Sequence, residues 1–91
     1  MTAVSVILCT HNRAGFLRET LPTIIRQSVP DTEWELVVVD NGSTDDTPKV
    51  IDECSRDASN VRYVNEPELG LSAARNRGIA ETHGDLVVFV D

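Results

Sequence analysis

The chain lacks the glycine-rich fingerprints by which most nucleotide sites announce themselves. No GxGxxG follows its first apolar run and no GxxxxGK[ST] occurs anywhere, which removes the usual dinucleotide and P-loop readings. It has no stretch approaching the roughly 18 apolar residues of a membrane span. No signal peptide is expected, since Val4–Cys9 is short and has no basic leader. Repeats, linkers and low-complexity segments are also missing. Basic residues are scarce, 8 against 15 acidic ones, for a net charge of −7. Three arginines (Arg13, Arg18, Arg26) against Glu19 give +2 through Pro30, so the remainder carries −9. Without a broad basic face to displace counterions, non-specific nucleic-acid binding is excluded. An anionic ligand would have to be held by a few local arginines, backbone N–H groups or a metal. The two cysteines, Cys9 and Cys54, have no framework spacing and read as small core residues, as suits a reducing cytoplasm.

The 91 residues, 41% of them hydrophobic, make one small globular unit (1–91) or part of a larger one. Four valine-rich apolar runs recur at regular spacing: Val4–Cys9, Trp34–Val39, Val61–Val64 and Leu86–Val90. They are mostly continuous rather than alternating, the pattern of strands buried on both faces. Each gap can hold a helix. In Ala14–Ser28, Leu17, Leu21, Ile24 and Ile25 recur at helical spacing. Asp46 is placed to cap a second helix, with Pro48 in its first turn and Val50, Ile51 and Cys54 facing inward. Ser72–His83 carries a weaker stripe of Ala73, Ala74, Ile79 and Ala80, with Gly84 as terminator. The order β-α-β-α-β-α-β, without hairpin signals, predicts an α/β fold: a Rossmann-like parallel sheet of about four strands with helices on both faces. The last run, with nothing after it, is expected at a raw sheet edge open to self-association, as in a truncated domain.

Chemistry is concentrated where the runs stop. Leu36–Thr47, LVVVDNGSTDDT, switches abruptly from apolar residues to carboxylate, amide and hydroxyls, delivering them to the carboxyl edge, where open α/β sheets bind ligands. The first run ends at the same edge in Cys9-Thr10-His11-Asn12-Arg13. Parallel strand ends lie about 5 Å apart, so the two loops can face one ligand. Asp40 or Asn41 can accept from a base N–H, the His11 ring can lie against a base, and Arg13 can meet a phosphate or base carbonyl. The plainer alternative for Asp40–Thr44 is a turn and helix entry whose side chains satisfy local backbone groups. Arg75 and Arg77, two positions apart on the third helix, must point in different directions. Arg75 is expected inward against a ligand and Arg77 on the surface. Asp91 suits a divalent cation bridging to a diphosphate, because Mg²⁺ and Mn²⁺ prefer oxygen ligands. His83 is most simply a helix C-terminal residue.

Taken in order, VSVILCTHNR, ELVVVDNGSTDDT, GLSAARNRGI and GDLVVFVD resemble the nucleotide-binding half of family 2 glycosyltransferases of the GT-A fold. The resemblance implies a nucleotide-diphosphate sugar at the carboxyl edge and inverting, metal-dependent transfer to an acceptor hydroxyl. Thr10, His11, Asn12 and Arg13 would surround base and ribose. Asp40 and Asn41 would contact the base, and Arg75 would lie near base or diphosphate. Asp91 matches the first aspartate of the family's metal-binding DxD-type motif, with Mg²⁺ or Mn²⁺ as cofactor. Two positions depart from the family's habit: His11 stands where tyrosine is frequent, and Asn41 where many members carry a second aspartate. A pyrimidine nucleotide is favoured. The catalytic base and acceptor site lie outside this sequence, so no turnover is expected of it. The expected location is the cytoplasm or the inner face of a membrane, any attachment being made through other regions. Competing readings are a nucleotide-diphosphate binding module without catalysis, and a nucleotidyltransferase. The latter usually has a glycine-rich basic loop where THNRAG offers only Gly15.

Overall fold

The computed structural model describes residues 2–27 and 32–90. Strands β1 (Val4–Thr10), β2 (Trp34–Asp40), β3 (Val61–Asn65) and β4 (Leu86–Val90) alternate with helices α1 (Ala14–Ile25), α2 (Thr47–Ser55) and α3 (Leu71–Glu81). All strand pairs are parallel, and the sheet runs β3-β2-β1-β4. The β-branched residues of the apolar runs fit the pleated surface, and the sheet order sets how deeply each run is buried.

Helices cover both faces. On one face Leu17 and Leu21 of α1 and Val50 and Ile51 of α2 pack with Leu8, Leu36 and Val38. On the other, Ala74 of α3 packs with Ile7, Val37, Val39 and Val64. Strand β2 is therefore buried on both faces along Glu35–Asp40. The last run behaves differently. Although as continuous in apolar residues as β2, β4 lies at an edge and leaves Leu86, Val88 and Phe89 exposed. The opposite edge, β3, carries Arg62 and Tyr63, a more polar boundary of the kind that discourages edge pairing. No helix among the described residues is long and apolar enough to cross a membrane.

Local details differ from the sequence expectations in instructive ways. Helix α1 ends at Ile25, where the Arg26 and Gln27 N–H groups close onto the Pro22 and Ile24 carbonyls, and Ser28 lies outside the described residues. Helix α2 is not capped by the Asp46 side chain. Asp45 takes that part, its Oδ1 accepting from the Thr47 N–H at 2.9 Å and the Thr47 hydroxyl at 2.5 Å, because an Asx side chain reaches the backbone two residues on. In α3 the buried residues are Ala74 and Gly78, while Ile79 is exposed. A Cβ on Gly78 would lie 2.6 Å from Ile7 Cγ2, so this helix approaches the sheet through missing side chains rather than large apolar ones. Gly84 does not terminate α3, since extended Thr82 already does so. Its smallness serves contact with β1: a Cβ there would meet the Ser5 nitrogen at 2.7 Å.

Candidate functional site

The chain order and the sheet order part company after β3. From β1 to β3 the chain moves one way with α1 and α2 on one face, then α3 returns over the other face and β4 joins the far side of β1. Such a reversal opens a crevice at the carboxyl edge, the usual ligand position in open α/β sheets. A cleft of about 230 Å³ lies there, lined by Cys9, Thr10, His11, Arg13, Asn41, Leu71 and Ala74. It is smaller than the roughly 300–1,000 Å³ of small-molecule sites, a size for part of a ligand rather than the whole. Its wall includes the N-terminal turn of α3, where the helix dipole favours negative charge.

The loops that frame the cleft are held by their own polar side chains. Asn12 adopts a left-handed φ of 49°, a conformation asparagine tolerates better than most residues. From there its Oδ1 accepts the N–H groups of Thr44 (2.7 Å) and Asp45 (3.2 Å), and its own N–H donates to Ser43 Oγ at 2.9 Å. His11 Nδ1 lies 2.6 Å from the Asn41 carbonyl, and Asn12 Nδ2 lies 3.3 Å from His11 Nε2. Both contacts are satisfied at once by a neutral imidazole with its proton on Nδ1. Asp45 Oδ2 accepts the Ala14 N–H at 3.2 Å, while the Arg13 N–H donates to Thr47 Oγ1 at 3.1 Å. The Thr47 hydroxyl first, and then the Thr47 and Ala14 N–H groups against the opposing effect of burial, hold the Asp45 carboxyl below its ordinary value.

Asp40 and Asn41, expected to face a base, are buried and occupied within the protein. Asp40 Oδ1 accepts the Ser43 N–H at 3.2 Å and Oδ2 accepts the Tyr63 hydroxyl at 2.8 Å. Burial, followed by that hydrogen bond and the carboxylate's charge, pushes Tyr63 up to about 12. Asn41 donates both amide hydrogens, to the Glu66 carbonyl at 3.0 Å and the Glu68 carbonyl at 2.8 Å, and accepts the Gly70 N–H at 2.9 Å. The groups left facing outward are the exposed His11 ring and the Arg13 guanidinium, which stacks 5.2 Å from the Phe16 ring centroid. Thr10 Oγ1 is buried without a hydrogen-bond partner among the described residues.

The two arginines of α3 reverse the expected orientation. Arg77 is the half-buried one, reaching Glu81 Oε2 at 3.4 Å and Glu66 Oε1 at 3.6 Å. Arg75 is exposed, 5.6 Å from the Phe89 ring centroid on the β4 side of α3, one residue beyond the cleft-lining Ala74. The acidic partners decide the matter: Glu66 and Glu81 lie on the side Arg77 faces. The (i, i+4) pairing of Arg77 with Glu81 was a sequence signal for this. Leu71 joins the cleft with no sequence signal, and Ala74, expected only as part of the apolar stripe of the third helix, lines it too, since apolar side chains have no chemical signature.

Asp91, the expected metal ligand, lies outside the described residues. Among those described, no cluster of three His, Cys, Asp or Glu side chains could hold a metal ion. Asp40 and Asp45, two of the carboxylates at this edge, already accept hydrogen bonds from the protein. The described residues therefore do not by themselves fit a divalent cation.

The fold and this edge define a Rossmann-like α/β unit of the GT-A type with a ligand crevice at the strand-order reversal. The chain matches the profile of glycosyl transferase family 2 over residues 5–91, and it belongs to that family. It is 38% identical over 90 residues to a validoxylamine A glucosyltransferase of Streptomyces hygroscopicus, covering 97% of this chain and 21% of the relative. Among solved structures, TarS of S. aureus (residues 1–349) in complex with UDP superposes with a TM-score of 0.86 at 33% identity, over 99% of this chain and 27% of that one. A mannosyltransferase of Pyrobaculum calidifontis in complex with GDP-Man and Mn²⁺ gives 0.83 at 33% identity, over 92% and 25%. The chain thus spans about a fifth to a quarter of the length of these relatives.

Proposed function

We propose that this chain is the donor-binding part of a family 2 glycosyltransferase, taking a nucleotide-diphosphate sugar for inverting, metal-dependent transfer to an acceptor hydroxyl. The observation that carries the reading is the convergence of Thr10, His11, Arg13 and Asn41 with the N-terminal turn of α3 on one cleft. The base lies against His11 and the apolar wall of Leu71 and Ala74, within the frame built by Asn12, Asp40 and Asn41. Arg13 and the exposed Arg75 reach the ribose and diphosphate, and the α3 dipole adds to the attraction. UDP in one structural neighbour and GDP-Man with Mn²⁺ in another support a nucleotide-sugar and a divalent metal as ligands. In this proposal Asp91 would be the first residue to hold Mg²⁺ or Mn²⁺, which would neutralise negative charge on the diphosphate. A pyrimidine base is favoured.

Calorimetry of the 91-residue chain with UDP, dTDP and GDP, each with and without Mn²⁺, tests the reading. The expected result is binding of a pyrimidine diphosphate, weakened about tenfold by Arg75→Ala, the scale of one charge-assisted hydrogen bond. A folded sample that binds none of the three nucleotides sinks the proposal.

A further inference from the structure

Between β3 and α3 the chain runs through Glu66–Gly70 without regular structure and leads directly into Leu71, which lines the cleft. Its bonds to the end of β2 are few. The Glu66 N–H donates to the Asp40 carbonyl at 2.9 Å, and Asn41 makes the other three, to Glu66, Glu68 and Gly70. The Glu68 N–H turns back onto Glu66 Oε2, at 2.9 Å, which is bonding within the segment. Gly70, at φ 133°, opens α3, and the next residue, Leu71, lines the cleft. The other end of Asn41 reaches the opposite wall, because its carbonyl holds His11. One buried residue therefore connects both sides of the cleft.

We propose that Asn41 is a positioning residue for the nucleotide: its carboxamide clasps the 66–70 segment and so fixes the gap between α3 and the end of β1. This rests on the nucleotide reading above. Both amide hydrogens are given to the protein, so the side chain acts on the ligand through the segment rather than by donating to it. The amide is needed because its targets are of mixed kind, two carbonyls and one N–H. A carboxylate at this position would turn acceptors toward the Glu66 and Glu68 carbonyls, opening the clasp. Protonating that carboxylate would restore one donor.

Asn41→Asp and Asn41→Ala test this with UDP as probe. Calorimetry reads its affinity, and amide hydrogen exchange reads protection of the Gly70 N–H, with the Val37–Val39 amides as a check on the sheet. At pH 7.5 Asn41→Asp is expected to lose UDP affinity by about tenfold, together with Gly70 protection. At pH 5 its affinity, relative to wild type, is expected to recover in part, whereas the Asn41→Ala ratio stays flat. The titratable and charged groups around the clasp are His11, Asp40, Glu66, Glu68 and Arg77, and all remain in the wild-type reference. If Asn41→Asp does not fold, Asn41→Ala carries the test through the same pair of readouts. Loss of Gly70 protection with unchanged UDP affinity overturns the proposal. So does loss of affinity with Gly70 still protected, which would mean direct contact. Wild type that binds no nucleotide overturns the functional reading instead, while the exchange data still report on the clasp.

Discussion

The two ends of β1 and β2 use the same device for opposite purposes. At the amino end the Ser5 hydroxyl donates to Glu35 Oε2 at 2.5 Å, the Gly84 N–H donates to Ser5 Oγ at 2.8 Å, and the His83 N–H donates to Glu35 Oε2 at 2.7 Å. Ser5 and Glu35 are buried, and the bonds seal the α3–β4 connection against the sheet. At the carboxyl end Asn12, Asp40 and Asn41 likewise spend their polar atoms on loops. There the loops stop short of closing, and the His11 ring and Arg13 remain exposed beside a cleft. Buried polar groups need partners at either end. What separates a seal from a site is which groups are left over once those partners are found.

The sharpest way to break the comparison is at the seal. Glu35→Ala leaves the His83 N–H and the Ser5 hydroxyl without their acceptor, for an expected loss of about 2–4 kcal/mol in urea denaturation. Nucleotide affinity of the folded fraction should not change, since the substitution lies at the far end of the sheet. Burial raises the Glu35 carboxyl, but the Ser5 hydroxyl, His83 and Arg62 outweigh it and hold the group below 4.5. A depressed folded-state value stabilises the fold above the unfolded value and is lost as pH falls through the folded one. Wild type should therefore lose stability as pH drops below about 4.5, and Glu35→Ala should show a shallower acid slope.

A smaller effect is expected at the other end. Asp40→Ala removes the acceptor of the Ser43 N–H and the Tyr63 hydroxyl, for about 1–3 kcal/mol. Spectrophotometric titration should show Tyr63 moving from about 12 toward 10.0. A Tyr63 value unmoved by the substitution would rule out the Asp40 contact. The smallest effect separates the α3 arginines. Arg77→Ala removes half-exposed ion pairs to Glu66 and Glu81 and should cost below about 1 kcal/mol while weakening nucleotide binding less than Arg75→Ala does. Arg75→Ala should do the reverse, leaving the melting curve in place while weakening the nucleotide. Equal effects of the two substitutions on binding would remove the distinction.

The architecture was legible because valine-rich runs separated by helical spacings have few other ways to bury themselves. The strand-end loops were legible as polar punctuation, and the cleft does gather Thr10, His11, Arg13 and Asn41. Sequence could not decide which atoms in those loops face outward. The turn-and-helix-entry alternative for Asp40–Thr44 describes Asp40 well, since it accepts the Ser43 N–H, and Asp45, just past those bounds, plays the same part for Ala14 and Thr47. The stripe of α3 was hidden because Gly78 has no hydrophobicity to register, and its burial comes from close approach. The seal at the amino end went unseen too, although a glutamate inside WELVVV was its trace. A carboxylate in an apolar strand implies a partner, but only tertiary structure shows that Ser5 and His83 supply it.

The chain has one tyrosine and one tryptophan, and the fold puts them at opposite ends of the sheet. Tyr63 bonds to Asp40 at the carboxyl end of β2, while Trp34 begins β2, its carbonyl accepting from Asn60 Nδ2 at 3.3 Å. The molecule thus carries two native optical reporters, one for each end of its central strands. Phenol absorbance follows loosening at the carboxyl end, and indole fluorescence follows loosening at the amino end, so unlabelled protein suffices to tell which end yields first.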